Sequence, residues 1–286
     1  MANIYNMKRI IFPIIIALFA PFAISASEPI EGNKASSLFF GPNALPVPDM
    51  LDGTVSERFY AELSFDTFKG FYGDRTFDIF AKVHIPLFTP RVNLSVWMPV
   101  VECYHNTAAS VAHQQPEEVR MKGHEFGNVY ATTDIHVLQQ RKYIPDITLR
   151  VGLITASGDS DQFGRYFDAP GYFVDTSIAK SVSLADSFVE EMRFVVNAGF
   201  LCWQVGRVTQ NDAFLYGGMA KLGTHLFDAS VAVQGYSGWI GNGDRPCVIK
   251  ANVVFKVKHL RPLLAYQYGF RDYPFHQVRI GLGYSF

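Results

Sequence analysis

The stretch ERFYAELSFDTF, Glu57 to Phe68, places Phe59, Ala61, Leu63 and Phe65 on one side of an extended chain and Arg58, Tyr60, Glu62, Ser64 and Asp66 on the other. Successive side chains point to opposite faces in a β-strand, so a period of two is the strand signature. The next run, FDIFAKVHIPL, repeats it: Phe77, Ile79, Ala81, Val83, Ile85 and Leu87 oppose Asp78, Lys82 and His84.

The pattern continues along the chain. Val92, Leu94, Val96 and Met98 alternate with Asn93 and Ser95, and Val129, Ala131, Thr133, Ile135 and Val137 with Asn128, Thr132, Asp134 and His136. Ile147, Leu149, Val151 and Leu153 face away from Thr148 and Arg150, and weaker segments follow at 172–181, 193–204 and 213–223. Regular alternation returns with Ala229, Val231 and Val233, then Ala251, Val253, Phe255 and Val257 opposite Lys250, Asn252, Lys256 and Lys258, then Tyr266, Tyr268 and Phe270. About twelve strands fit between Glu57 and Phe286, the even number expected of a single-chain outer-membrane barrel. Short turns at 89–91 and 258–262 alternate with long excursions at 104–126, 156–171 and 237–246, as short periplasmic turns and long external loops would.

The expectation is therefore an all-β fold, a transmembrane antiparallel up-and-down β-barrel in a bacterial outer membrane of the Gram-negative type. A secreted β-sandwich would also alternate. Against it stand runs of about ten residues, long beside the usual strand of soluble sheets. Aromatics also gather near the strand ends, where Tyr72, Phe88, Tyr104, Tyr172, Phe194, Trp239, Phe270 and Tyr284 suit interfacial girdles. Composition agrees: of 286 residues 49 % are apolar, 15 % aromatic and only 18 % charged, below the roughly 25 % charged of ordinary soluble domains. A net charge of −1 without a basic run excludes nucleic acid as the expected partner.

Three regions follow. Residues 1–26 read as a signal peptide, with Lys8 and Arg9 ahead of an apolar run and small residues at Ala23-Ile24-Ser25-Ala26. Residues 27–56 hold Pro42, Pro46 and Pro48 without sustained alternation, and proline opposes a regular strand. That segment is expected to lie in the periplasm or to fold into the lumen as a plug. Residues 57–286 form the barrel. Three cysteines, Cys103, Cys202 and Cys247, are an odd number, and unpaired thiols are the simpler expectation.

The run RIGLGYSF, Arg279 to Phe286, resembles the carboxy-terminal β-signal of bacterial outer-membrane proteins, with Arg279 as the polar residue, Gly281 as the glycine, and Tyr284 and Phe286 as the aromatics. The resemblance implies recognition by the barrel assembly machinery. A second one lies in LRVGLITASGDSDQFGRYFDAPGY, Leu149 to Tyr172, which is similar to a strand and glycine-acid external loop of channel-like barrels of the phenol-degradation (MetA-pathway) outer-membrane family. It implies transport and covers one strand and one loop.

Little in the chain suggests covalent chemistry. A hydrolase needs a nucleophile with a base in hydrogen-bond reach, and His84 and His136 stand in no Ser-His motif of barrel lipases or deacylases. No catalytic residue and no cofactor is expected. His105, His113 and His124, with Glu117, Glu118 and Glu125, are spaced too irregularly for a metal site. Gly158-Asp159 and Gly241 to Asp244 read as turns rather than calcium loops.

The polar faces carry Arg58, Glu62, Asp66, Asp78, Lys82, His84, Asp134, His136, Arg150, Asp175, Arg193, Lys250, Lys256 and Arg279. A lysine or arginine facing lipid costs about 2–4 kcal/mol at the midplane, so these charges are expected to line the lumen. They either border a wet passage or pair across it and close it. The function expected is that of a monomeric passive channel for small solutes, with an occluded structural barrel of an envelope complex and a lipid-modifying enzyme as the alternatives. Membrane lipid is the expected surroundings.

Overall fold

The computed structural model describes residues 41–116, 119–159, 165–166, 170–184, 187–204, 210–241 and 243–286. The expected signal peptide, residues 27–40, Glu117 and Glu118 lie outside them. The elements are β1 (Tyr60–Gly70), β2 (Arg75–Pro86), β3 (Val92–His105), α1 (Ala108–Gln114), β4 (Lys122–Glu125), β5 (Tyr130–Leu138), β6 (Asp146–Ile154), β7 (Gly171–Ser183), β8 (Glu191–Gln204), β9 (Gln210–Gly223), β10 (Phe227–Gly238), β11 (Cys247–Phe255), β12 (Leu260–Arg271) and β13 (Phe275–Ser285).

With the short β4 set aside, each strand pairs antiparallel with the next, β3 with β5 included, and β13 returns to β1, so twelve strands close an up-and-down barrel. The short β4 adds to the outer part of β3. Closure runs the whole length of β1, from Tyr60 opposite Ser285 to Gly70 opposite Phe275. The Phe286 amide donates to the Phe59 carbonyl at 2.9 Å, and the two rings meet edge to face. Closure removes both sheet edges, which would otherwise expose unpaired backbone groups.

The connections at 87–91, 139–145, 184–190, 224–226 and 256–259 all lie at the end where β1 begins and β13 finishes, here termed the turn end. The opposite, loop end carries the excursions 106–129, 155–170 and 239–246, but also the tight connections 71–74 and 272–274. In the first of these Gly73 takes φ 85°, a backbone that suits glycine, and the Gly70 amide closes the turn on the Asp74 carbonyl. The long 106–129 excursion is partly ordered by α1. Its Thr107 cap and Ser110 exchange hydrogen bonds, and His113 stacks on Tyr72 at 4.0 Å.

The strands sort their side chains as alternation predicts. Leu63 and Ile280 are 60 % and 61 % exposed on the outside, in a belt with Phe65, Phe77, Ile79, Leu282 and Tyr284, while Asp66 and Asp78 point inward and are buried. An exposed apolar surface of this extent around a polar interior is the inverse of a water-soluble barrel.

One expectation fails on register. Ile79 pairs with Val101 but Phe80 pairs with Pro99, so Val100 is an extra residue in β3. A bulge of one residue exchanges the two faces of the strand beyond it. Tyr104, expected in the outer girdle, therefore faces inward and is buried, and Glu102 turns inward with it.

Candidate functional site

Residues 41–53 run lengthwise through the barrel. At the loop end the Pro42 carbonyl accepts from the Tyr273 hydroxyl at 3.1 Å, and the Asn43 amide donates to Asp78 and Glu102 at 2.6 and 2.7 Å. Further along, Tyr236 donates to the Leu45 carbonyl, Gln234 brackets Pro48 and Met50, and the Arg150 guanidinium donates to the Asp49 carbonyl. At the turn end Arg193 donates to the Asp52 carbonyl at 2.6 Å. There Gly53, at φ 81°, lies so close to Ala179 and Arg193 that a side chain would collide with them. The prolines that prevent a strand leave backbone carbonyls of this segment free, and wall donors satisfy them.

Two side chains of the segment form ion pairs with the wall. Asp49 pairs with Lys250 at 2.7 Å and Asp52 with Lys221 at 2.6 Å. Burial opposes the Asp49 charge, but Lys250, Arg279 and Lys82 outweigh it and hold the carboxyl well below the usual range. Burial likewise works against Asp52, and Lys221, the hydrogen bonds of Thr54 and Arg193 overcome it, so its acidity is also lowered in pKa. The Asp49 side chain is half exposed, so the space beside it is not fully filled by protein.

The wall pairs its own charges differently. Arg279 grips Asp66 with two hydrogen bonds, at 2.7 and 2.5 Å, and its guanidinium lies 3.8 Å from the Phe80 ring centroid. Arg150 pairs with Asp175 at 2.7 Å, and Arg193 with Asp146 at 2.9 Å, where His136 also contacts Asp146 at 3.0 Å. Glu62 accepts from Tyr60 and Ser64, and Lys256 pairs with Asp228 at the turn end. Of the residues expected in the lumen, Arg58 stands apart: it precedes β1 and is exposed at the rim.

Between the segment and the wall lies a cavity of about 130 Å³. Lys82, His84, Asp134, Arg150, Lys250 and Arg279 line it together with Phe68, Phe80, Trp97, Tyr130 and Tyr273. The Lys82 ammonium sits 5.8 Å from the Trp97 ring centroid, and Trp97 stacks on Tyr130. His84 meets Ser95 at 2.6 Å, and Ser95 donates to Asp134 at 2.8 Å. The order is opposite to a hydrolytic triad, in which the histidine stands between serine and carboxylate. With the Ser95 proton directed at Asp134, His84 is the donor to Ser95 and takes no proton from it.

The loop end is crossed by residues that alternation did not single out. Arg165 is buried and bonds to Glu102 at 2.6 Å and to Thr76 at 2.8 Å, with its guanidinium 4.3 Å from the Tyr104 ring centroid; Tyr166 donates to Glu102 at 3.1 Å. Glu102 thus gathers the 155–170 loop, the Asn43 amide and the wall at one point. The signal for it in the sequence was Pro99, since a proline inside a strand belongs at an edge or a bulge. Of the histidine-bearing loop, Glu125 accepts from Tyr104 and Arg120, while His105 and His124 are exposed. Cys103, Cys202 and Cys247 are free thiols.

No family model matches the chain, and no curated protein does, so the resemblance of Leu149–Tyr172 to the phenol-degradation family has no sequence-level support. Solved structures do match. The NanC porin is 10 % identical with a TM-score of 0.52, over 79 % of this chain and 100 % of that one. An outer membrane channel from Pseudomonas putida F1 is 9 % identical with a TM-score of 0.53, over 85 % and 97 %. The fold is that of bacterial outer-membrane barrels. LpxR from Salmonella typhimurium shares it too, at 11 % identity and a TM-score of 0.50 over 79 % and 100 %. Identities this low speak for the fold alone, so function has to be argued from the lumen.

Proposed function

We propose that the chain is a monomeric passive channel for small solutes in the outer membrane of a Gram-negative-type envelope, narrowed at rest by residues 41–53 and by Arg165 and Tyr166. The observation that carries this reading is the charged cavity inside a closed barrel, bordered by the Lys82 ammonium near the Trp97 ring. Charged rings lining a pore are the usual means of selecting solutes. The apolar belt supports lipid as the surroundings, and Arg279, Gly281, Tyr284 and Phe286 would present the assembly signal before β13 pairs. The reading assigns no covalent chemistry, in keeping with the inverted order of His84, Ser95 and Asp134.

The occluded structural barrel remains the second reading, favoured by how completely the segment and Arg165 occupy the axis. Planar-bilayer recordings of the purified full chain separate the two. Discrete ionic steps that enlarge when Asp49 and Asp52 become asparagine are expected of the channel. Silence of both proteins, with folding verified by heat-dependent gel migration, would remove the channel in favour of the sealed barrel.

A further inference from the structure

The cations around the lumen differ in where their carboxylate partner lies. Arg150, Arg193 and Arg279 of the wall and Arg165 of the 155–170 loop have carboxylates in Asp175, Asp146, Asp66 and Glu102, and Lys256 at the turn end has one in Asp228, all of them on the wall. Lys82, Lys221 and Lys250 have none there: Lys221 and Lys250 pair with Asp52 and Asp49 of the segment, and Lys82 faces the cavity over Trp97. Wall carboxylates without a cation do exist, in Glu62, Asp78 and Asp134, but they accept hydrogen bonds from hydroxyls and from the Asn43 amide. Glu62 stands opposite Lys82 in the β1–β2 register, but its two oxygens accept from the Tyr60 and Ser64 hydroxyls.

Two of the lysines are also placed in order along the strands. Lys221 on β9 and Asn252 on β11 both pair with Ser230 of β10, so Lys250 lies one inward-facing position nearer the loop end. Two residues of strand and two strand spacings separate the lysine backbones by roughly 7 Å along the strand and 10 Å across it. The Cα atoms of Asp49 and Asp52, three residues apart, lie within about 10–11 Å of each other. Lys82 borders the same cavity as Lys250.

We infer that Lys82, Lys221 and Lys250 form an anion track in the lumen, that Asp49 and Asp52 occupy it as a tethered stand-in for a solute, and that the solute class is a small dianion such as a dicarboxylate. This rests on the channel reading for its physiological use, though not for the binding itself. A lysine ammonium suits the role better than an arginine fork, because it is a mobile point charge that does not demand one fixed partner geometry. A solute carboxylate replaces an aspartate without leaving any cation unpaired, so exchange along the track avoids the penalty of an isolated buried charge.

The test is titration calorimetry of the full, folded chain with succinate as the probe. The Asp49→Asn, Asp52→Asn double variant is expected to bind succinate at least about tenfold more tightly than the original chain, because a tethered competitor acts at a high effective concentration. Adding Lys82→Gln, Lys221→Gln and Lys250→Gln should abolish the gain, and arginines at the three positions should keep it. Should the five-fold variant not fold, Lys250→Gln alone in the double variant serves the same purpose. Equal succinate affinity before and after the aspartates are neutralised, or a gain that survives the glutamines, overturns the track. Bilayer recordings are read separately: binding without current removes the channel and leaves the track, whereas current without a gain in succinate binding removes the track and leaves the channel.

Discussion

The wall and the segment it encloses are fastened with the same elements, carboxylate and cation, yet in different ways. Wall pairs such as Arg279 with Asp66 and Arg150 with Asp175 use guanidinium groups whose carboxylate partners are at most 1 % exposed. The segment's pairs use lysines and are wetter, with Lys221 and Asp52 at 29 % and 22 % exposure and Asp49 at 49 %. An arginine fork in a dry site fixes geometry, and breaking it leaves a charge stranded; a lysine pair reached by water loses little when it separates. The arginine pairs of the wall are built to persist and the lysine pairs of the segment to be replaceable.

The sharpest way to break this comparison is at Asp66. Asp66→Ala strands Arg279 beside Phe80 and also removes the acceptor of Gln277. A loss of about 3–5 kcal/mol is expected from an unpaired buried charge. The measurement is urea unfolding of the refolded barrel in lipid, read by gel migration. A loss below about 1 kcal/mol would put the wall pair in the same class as the segment's pairs.

Much of that wall was legible beforehand, because alternation alone turns Asp66, Asp78, Arg150 and Arg279 inward, and Asp66 stands opposite Arg279 across the β1–β13 seam. Glu102 was not legible by counting. Two-residue periodicity carried past Met98 puts it outside, and only the extra residue at Val100 brings it in. The segment's role was hidden for a different reason. Asp49 and Asp52 sit in a proline-rich stretch with no period, and their partners are some 170 to 200 residues away in sequence. Periodicity reports which way a side chain faces within its own strand and carries nothing about which distant lysine it meets. The irregular 155–170 loop shows the same limit, since nothing in its composition marks Arg165 as the residue that reaches Glu102.

A smaller effect is expected at the other kind of pair. Asp52→Asn should change barrel stability by no more than about 1 kcal/mol, as for other partly exposed ion pairs. The segment itself should loosen, since Lys221 loses its charged acceptor while Arg193 keeps only the Asp52 backbone carbonyl. Limited proteolysis of the folded protein distinguishes the two: cleavage within 41–58 should quicken while the barrel stays intact on the gel. Unchanged cleavage, or a barrel that unfolds as readily as with Asp66→Ala, would erase the distinction between wall and segment.

The smallest effect is that of pH, and its sign follows from the two segment carboxylates. Both Asp49 and Asp52 have pKa values lowered below the ordinary 3.8, for although burial opposes their charge the neighbouring cations prevail. A depressed carboxylate contributes its anchoring fully above the unperturbed value and loses it as pH falls through the depressed one. Between pH 8 and 5 neither group changes protonation, so the anchoring of 41–53 should be flat across that window and weaken only below about pH 4. Single-channel current recorded at stepped pH is the readout, with a plateau expected from 8 to 5 and enlargement only at the acid end. Enlargement between pH 7 and 5 would assign release to a group that titrates near neutrality, the usual range of histidine, and would displace Asp49 and Asp52 as the anchors that set it.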